Sequence, residues 1–337
     1  MQAIELAGER VVRPWRETTL LATGASQGIG HETAAFLLAE TDIRKIYIGS
    51  RSLEGFKRAV EGDKKFTGLE QRVPGFDPHR VAPFIADFSH PGEATAQYKA
   101  IHDEGDAITD ILYFAAGGME GVLNRVGLRL RRLSRVPQTD PAYQPELDSI
   151  NEAIAAGVKE NKPYAQAVNF RGPAELHRFV SVDGGSQPLP EGSMQIDETS
   201  LWATFLRNVP TFYKELIAKP KHEFEDELDV AGEFFALHEE PYYFGKVSGG
   251  IVLDTLVGTA ISNFIAPLIP DLDQAKLKEY AVLMKDMALA NRIMLEDDPQ
   301  TWVDNFRTLY VYGEDGQVHI NNTLIPSHPM FDIQMPI

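Results

Sequence analysis

Thr18-Thr19-Leu20-Leu21-Ala22-Thr23-Gly24-Ala25-Ser26-Gln27-Gly28-Ile29-Gly30 is the stretch that decides the fold. An apolar run suited to a buried strand stops at Thr23. Three glycines follow, and then Ile29, Ala34, Phe36, Leu37 and Leu38 recur about one helical turn apart. Glycine lets a turn tighten and lets backbone approach a ligand, while the unpaired N–H groups and positive dipole end of the next helix attract an anion. A strand, a glycine turn and an amphipathic helix in that order predict a cradle for a nucleotide pyrophosphate. It is built from Thr23, Gly24, Ser26, Gln27, Gly28, Ile29 and Gly30.

Composition bounds the rest. The 337 residues, 43% hydrophobic and 24% charged, suit one large α/β domain with insertions rather than two smaller domains. The absence of cysteine excludes disulfides, thiolate metal sites and cysteine nucleophiles. Nine histidines without a His-Glu-x-x-His motif or a close pair predict no metal site. No basic-then-apolar leader and no apolar run of about 20 residues occurs, so a cytoplasmic protein is expected. The net charge of −17 opposes nucleic acid and anionic membrane as partners, because their phosphates would be repelled.

Beyond the first helix, Lys45-Ile46-Tyr47-Ile48-Gly49-Ser50-Arg51 reads as the second parallel strand. A carboxylate at its end would bond an adenosine ribose and repel a 2′-phosphate. Ser50 and Arg51 instead offer a hydroxyl and a guanidinium, which favours NADP(H) over NAD(H). Val81 to Phe88 reads as a third strand closing on Asp87 and Phe88, and Asp110 to Tyr113 with Phe114-Ala115-Ala116-Gly117-Gly118 as a fourth strand and its turn.

The spacing Thr-Gly-x-x-x-Gly-x-Gly resembles the glycine motif of the short-chain dehydrogenase/reductase family. Further stretches extend the resemblance from residue 18 to about 265. Ala115-Ala116-Gly117 stands where the family usually has Asn-Ala-Gly. Val168-Asn169-Phe170-Arg171-Gly172 resembles Val-Asn-x-x-Gly, whose asparagine is catalytic, and Tyr242-Tyr243-Phe244-Gly245-Lys246 resembles Tyr-x-x-x-Lys. The resemblance implies a doubly wound parallel sheet of the Rossmann type. It places Asp87 on the adenine, Ala115, Ala116 and Gly117 beside the cofactor ribose, and Tyr242 and Lys246 on one helix face. In the family a serine precedes the tyrosine by about a dozen residues, but Asp229 stands there. Counting forward from Asn169 nominates Ser200, at the end of a strand-like Ser193–Ser200. Reading His177–Val182 as the strand nominates Ser181.

The implied chemistry is hydride exchange between NADP(H) and a ketone, aldehyde or alcohol. Tyr242 protonates the oxygen, Lys246 lowers the phenol's pKa from ~10 and holds the ribose, Asn169 positions a relaying water, and Ser200 donates to the carbonyl. Two other readings stand beside it: a repurposed site for isomerisation, cyclisation or enoyl reduction, and a non-catalytic NADP(H)-sensing module. Residues 118–163 and 201–240 read as insertions, the second as a helical lid, and 266–337 as a C-terminal extension with a hairpin near Thr308–Ile320. Apolar residues in 201–212 favour a hydrophobic carbonyl substrate. The cluster Arg125, Arg129, Arg131, Arg132 and Arg135 reads first as a solvated face paired with the protein's own carboxylates, and second as a grip for an anionic carrier. A homo-oligomer is left open.

Overall fold

In a computed structural model, strand β1 (Thr19–Thr23) is buried at every residue and lies inside the sheet, between two parallel neighbours. The structure describes residues 13–64, 66–114, 117–118, 120–133, 136–181, 185–200, 214–230, 235–238, 243–249, 310–312 and 318–320. After β1 come α1 (Gly28–Glu40), β2 (Lys45–Ser50), α2 (Leu53–Glu61), α3 (Leu69–Arg72), β3 (Val81–Ile85), α4 (Glu93–Asp103) and β4 (Asp110–Tyr113). A helical hairpin follows, α5 (Glu120–Leu133) and α6 (Tyr143–Gln166). A π-helical turn at Ala167–Arg171 then leads into α7 (Gly172–Val180). The chain returns through β5 (Met194–Ser200), a second π turn (Lys214–Ala218) running into α8 (Lys219–Glu227), β6 (Phe235–His238) and β7 (Tyr243–Gly249). A separate antiparallel pair joins β8 (Tyr310–Tyr312) and β9 (Val318–Ile320).

The main sheet has the order β3-β2-β1-β4-β5-β7-β6. All neighbours are parallel except β6, which pairs antiparallel with β7 at the edge. Helices cover both faces, as alternation along buried strands demands. Leu20, Ala22, Leu112 and Ile196 face a core shared with α1, α2 and Trp15. Leu21, Ile111 and Tyr113 face a second core with α4, α7 and α8. The doubly wound α/β fold expected from the sequence is therefore present. The order of strand addition reverses between β1 and β4, the point where such sheets open a crevice at their carboxyl edge.

Several elements keep their expected places. The fifth strand is β5, and the expected C-terminal hairpin is β8–β9. Two members of the arginine cluster are paired with the protein's own carboxylates: Arg125 bonds Glu160, and Arg129 reaches Glu146 at 2.8 Å and Ser149 at 2.9 Å. The described part of the segment 201–240 is helix and edge strand; 201–213 lies outside the described residues, as does most of 266–337.

Two expectations are corrected. His177–Val180 is helical, the end of α7, so the register that nominated Ser181 falls. Pro173 sits in the first turn of α7, where a missing N–H costs nothing, and the apolar face of His177 and Val180 is a helix face. The second concerns Tyr-x-x-x-Lys. Residues 243–249 form a strand, so Lys246 is not on a helix. Tyr243, Phe244 and Val247 are strand-favouring residues, and pairing on both sides, with β5 and β6, satisfies their backbone groups.

Candidate functional site at the carboxyl edge of the sheet

The glycine turn lies where the crevice opens. Gly24 (φ 68°) and Gly28 (φ 64°) both adopt the left-handed conformation, which L side chains resist at roughly 1–2 kcal/mol. Nothing stands within 4 Å of a Cβ built at Gly28, so the approach to the amino end of α1 is open. Gly30 serves packing instead: a Cβ there would lie 2.9 Å from Ala25 Cα and 3.0 Å from the Phe114 ring. Gln27 caps α1 with extended backbone and makes no side-chain capping bond, which leaves the first N–H groups of the helix to another acceptor. Its side chain accepts from Arg58 of α2 at 3.1 Å. Thr23 is fully buried, and its Oγ1 has no hydrogen-bond partner among the described residues. An orphaned hydroxyl, an open turn and uncapped N–H groups fit an anionic nucleotide group. Ser26 is half-buried at the same turn, and Ile29 lies in the first turn of α1.

At the end of β2, Gly49 presses its backbone on the turn, so that a Cβ would fall 2.8 Å from Gly24 N. Ser50 is buried and Arg51 exposed. Arg51 Nη1 donates to the Tyr164 hydroxyl of α6 at 2.7 Å. Asp87 lies past the end of β3 rather than inside it, and its Oδ1 accepts from Ser89 N at 2.8 Å. Burial pushes this carboxyl up, but the Ser89 hydrogen bonds and the charges of His90 and Arg51 outweigh it and hold the group below its ordinary value. Phe88 is buried in the core with α7, pressed against Gly172, so its side chain belongs to the fold. Ala115 and Ala116 lie outside the described residues.

Asn169 sits in the first π turn, fully buried. Its Oδ1 accepts from Gly117 N at 3.2 Å, and its Nδ2 reaches the carbonyls of Gly117 (2.8 Å), Ala165 (2.9 Å) and Leu216 (2.9 Å). Gly117, after β4, is thus pinned by an amide from the neighbouring helix. This amide is committed to backbone, and it braces the site.

Ser200 ends β5 in register with Gly249. Its β5 neighbours carry charge. Asp197 is fully buried and pairs with Lys221 of α8 at 2.8 Å, the lysine being 4% exposed. Glu198 keeps some solvent contact by area, yet dense protein around it pushes its pKa up to about 8; the Asp197 charge adds to this and Lys221 offsets it. Gln195 accepts from the Tyr113 hydroxyl at 2.9 Å and contacts His177 Nδ1 at 3.1 Å. Neither the Asp197–Lys221 pair nor Glu198 was singled out from sequence. The signal was present as acidic residues inside an otherwise regular strand.

Tyr242 lies outside the described residues, and Tyr243, to which it is joined, begins β7. Because β7 runs parallel to β5, with Tyr243 paired to Met194, that beginning is at the amino edge of the sheet, across from the glycine turn. Lys246 pairs with Asp197 and Ala236 in mid-strand. On a strand, residues four apart share a face but stand about 13 Å apart, against one turn on a helix. The structure brings together the glycine turn, Arg51, Asp87, Gly117 and Asn169 and does not bring Lys246 to them.

No family model matches the sequence, and no curated protein matches it. Similar solved structures include L-sorbose reductase from Gluconobacter frateurii complexed with NADPH and L-sorbose, at 14% identity and TM-score 0.40, covering 64% of each chain. A metagenomic short-chain oxidoreductase in complex with NADP has 15% identity and TM-score 0.41, covering 80% of this chain and 90% of that one. The reductase LugOII, which catalyses keto-reduction in lugdunomycin biosynthesis, has 19% identity and TM-score 0.44, covering 74% and 88%. The chain thus spans under two thirds of the sorbose reductase. The chain's own sheet defines its class: a doubly wound α/β fold with a glycine turn at its switch point.

Proposed function

We propose that this chain is a divergent short-chain dehydrogenase/reductase that binds NADP(H) and interconverts a hydrophobic carbonyl compound and its alcohol. The observation that carries the reading is the glycine turn at the carboxyl end of β1, beside the reversal between β1 and β4. The α1 amino end and Thr23 Oγ1 hold the pyrophosphate, Arg51 takes the 2′-phosphate, and Gly117 admits the ribose. Bound there, the nicotinamide supplies the hydride. The test is calorimetric titration with NADPH and NADH, followed by NADPH consumption against a panel of hydrophobic ketones and aldehydes. Binding of neither nucleotide defeats the proposal.

The acid is assigned by two competing tyrosines. Tyr242 carries the Tyr-x-x-x-Lys resemblance, but its neighbour Tyr243 starts a strand at the amino edge. Tyr213 stands 13 residues after Ser200, the family's separation of serine and tyrosine, and directly precedes the π turn whose Leu216 carbonyl accepts from Asn169. Position 217 is isoleucine, so the lysine four residues on is missing; the buried ammonium of this helix is Lys221. We favour Tyr213 with Ser200. Removing the acid costs about 10²–10⁴-fold in kcat, so Tyr213→Phe abolishes turnover while Tyr242→Phe leaves it.

A second reading, nucleotide binding without carbonyl reduction, is favoured by one observation: the Asn169 Nδ2 donors are taken by backbone carbonyls, which leaves a relaying water only the second lone pair of Oδ1. Tight NADPH binding with no consumption across the carbonyl panel would support it.

A further inference from the structure

Arg51 is exposed, and its one side-chain hydrogen bond among the described residues is to a phenol, 113 positions along the chain. Among the described residues it makes no ion pair within 4 Å; the nearby Asp87 carboxylate acts on it through space and spends Oδ1 on Ser89 N. A neutral partner fixes a guanidinium without cancelling its charge, and it uses one of five N–H donors. A carboxylate partner would orient the group equally well but neutralise it before any ligand arrived.

The phenol is itself held. Tyr164 lies one turn before Asn169 on the helix that carries the π turn, and its ring edge is 3.4 Å from a Cβ built at Gly117. Gly117 follows β4, Arg51 follows β2, and β1 with its glycine turn lies between them. The Tyr164 hydroxyl stands 3.7 Å from that same Cβ, at the β4 end, and Arg51 reaches across the carboxyl edge from the β2 end to meet it. An exposed arginine otherwise loses rotamer freedom when a ligand orders it, and prior anchoring removes part of that loss.

We infer that Tyr164 is a positioning residue for cofactor choice: through its hydroxyl it holds Arg51, which among the described residues has no carboxylate in contact, ready for a 2′-phosphate, so that it sets the preference for NADPH over NADH. The inference rests on the nucleotide reading above. It assigns discrimination to a helix remote in sequence from the β2 end.

The experiment measures dissociation constants for NADPH and NADH with wild type, Tyr164→Phe, Arg51→Ala and the double variant. Phenylalanine keeps the ring against Gly117 and removes only the hydroxyl. Expected is a loss of roughly tenfold in NADPH affinity with Tyr164→Phe, the scale of one charge-assisted hydrogen bond, with NADH affinity unchanged. In the Arg51→Ala background, Tyr164→Phe has no further effect. Equal losses for both nucleotides, additive losses in the double variant, or a wild type without preference would each overturn the role of Tyr164 while leaving the nucleotide site standing. A wild type that binds neither nucleotide overturns the underlying reading as well.

Discussion

Asn169 Nδ2 donates to the Leu216 carbonyl at 2.9 Å, and so one amide joins the π turn of 167–171 to that of 214–218 while its other bonds fasten Gly117. Removing it by Asn169→Ala leaves a buried N–H and up to three carbonyls short of a partner, a cost of about 1–3 kcal/mol. Asn169→Asp is expected to cost more, because a carboxylate faces three carbonyl oxygens with nothing to donate. Urea denaturation at pH 7 gives the order wild type, Ala, Asp in falling stability. An Asp variant more stable than Ala would show that the amide is not the brace.

Lys221 and Asp197 form a buried pair at 2.8 Å. Lys221→Met alone strands a carboxylate in the core and is expected to destabilise by about 3–5 kcal/mol. The double change Asp197→Val with Lys221→Met recovers most of that loss, since β5 then presents an ordinary apolar residue to α8. Chemical denaturation of the three variants measures the coupling, and a double variant as unstable as Lys221→Met would refute the pairing argument.

Glu198 supplies the pH dependence. Its folded pKa is raised to about 8, mainly by burial, so the folded state binds more protons than the unfolded state between its ordinary value and pH 8. Its contribution to stability is therefore intact at low pH and falls as pH rises through that window. Glu198→Gln removes the loss: melting temperatures of wild type and variant diverge from pH 6 to 8.5, the variant becoming the more stable. Parallel curves would contradict the raised pKa.

Two glycines of one turn separate binding from folding. Gly30→Ala places a methyl 2.9 Å from Ala25 Cα and is expected to lower stability by about 1–3 kcal/mol. Gly28→Ala has free space around the methyl and costs only the left-handed backbone, about 1–2 kcal/mol, yet it obstructs the open approach to α1. Thermal melts and NADPH titration together should show Gly28→Ala losing more affinity per unit of stability than Gly30→Ala.

The sequence carried the left half of the sheet well. From Thr18 to Gly30 each signal agrees: apolar run, glycine spacing and helical period all mark one strand, turn and helix, and the β-branched and aromatic run of Lys45–Ser50 is as clear, whereas Met194–Ser200 is a strand despite its polar residues. Tyr242–Lys246 was misread because a spacing of four puts side chains on a shared face in either a helix or a strand, and the strand propensity of Tyr243, Phe244 and Val247 was the discriminating signal. Ser181 was proposed from an apolar alternation that a helix face also produces over so few residues. The Asn169 brace and the Arg51–Tyr164 bond join positions 47 to 113 apart in sequence, and no local pattern encodes such a meeting.

The wide turn at Ala167–Arg171 also sets a rotational phase. A π turn holds one residue more than the α-helical repeat, and each residue advances an α-helix by about 100°. Excising a single residue from that turn would restore unbroken α-helix and swing everything downstream by that angle. His177 would leave Gln195, and the apolar side of α7 would rotate away from the sheet. The extra residue therefore acts as a spacer of angle, letting one continuous rod present Tyr164 to the crevice and Leu176 to the core.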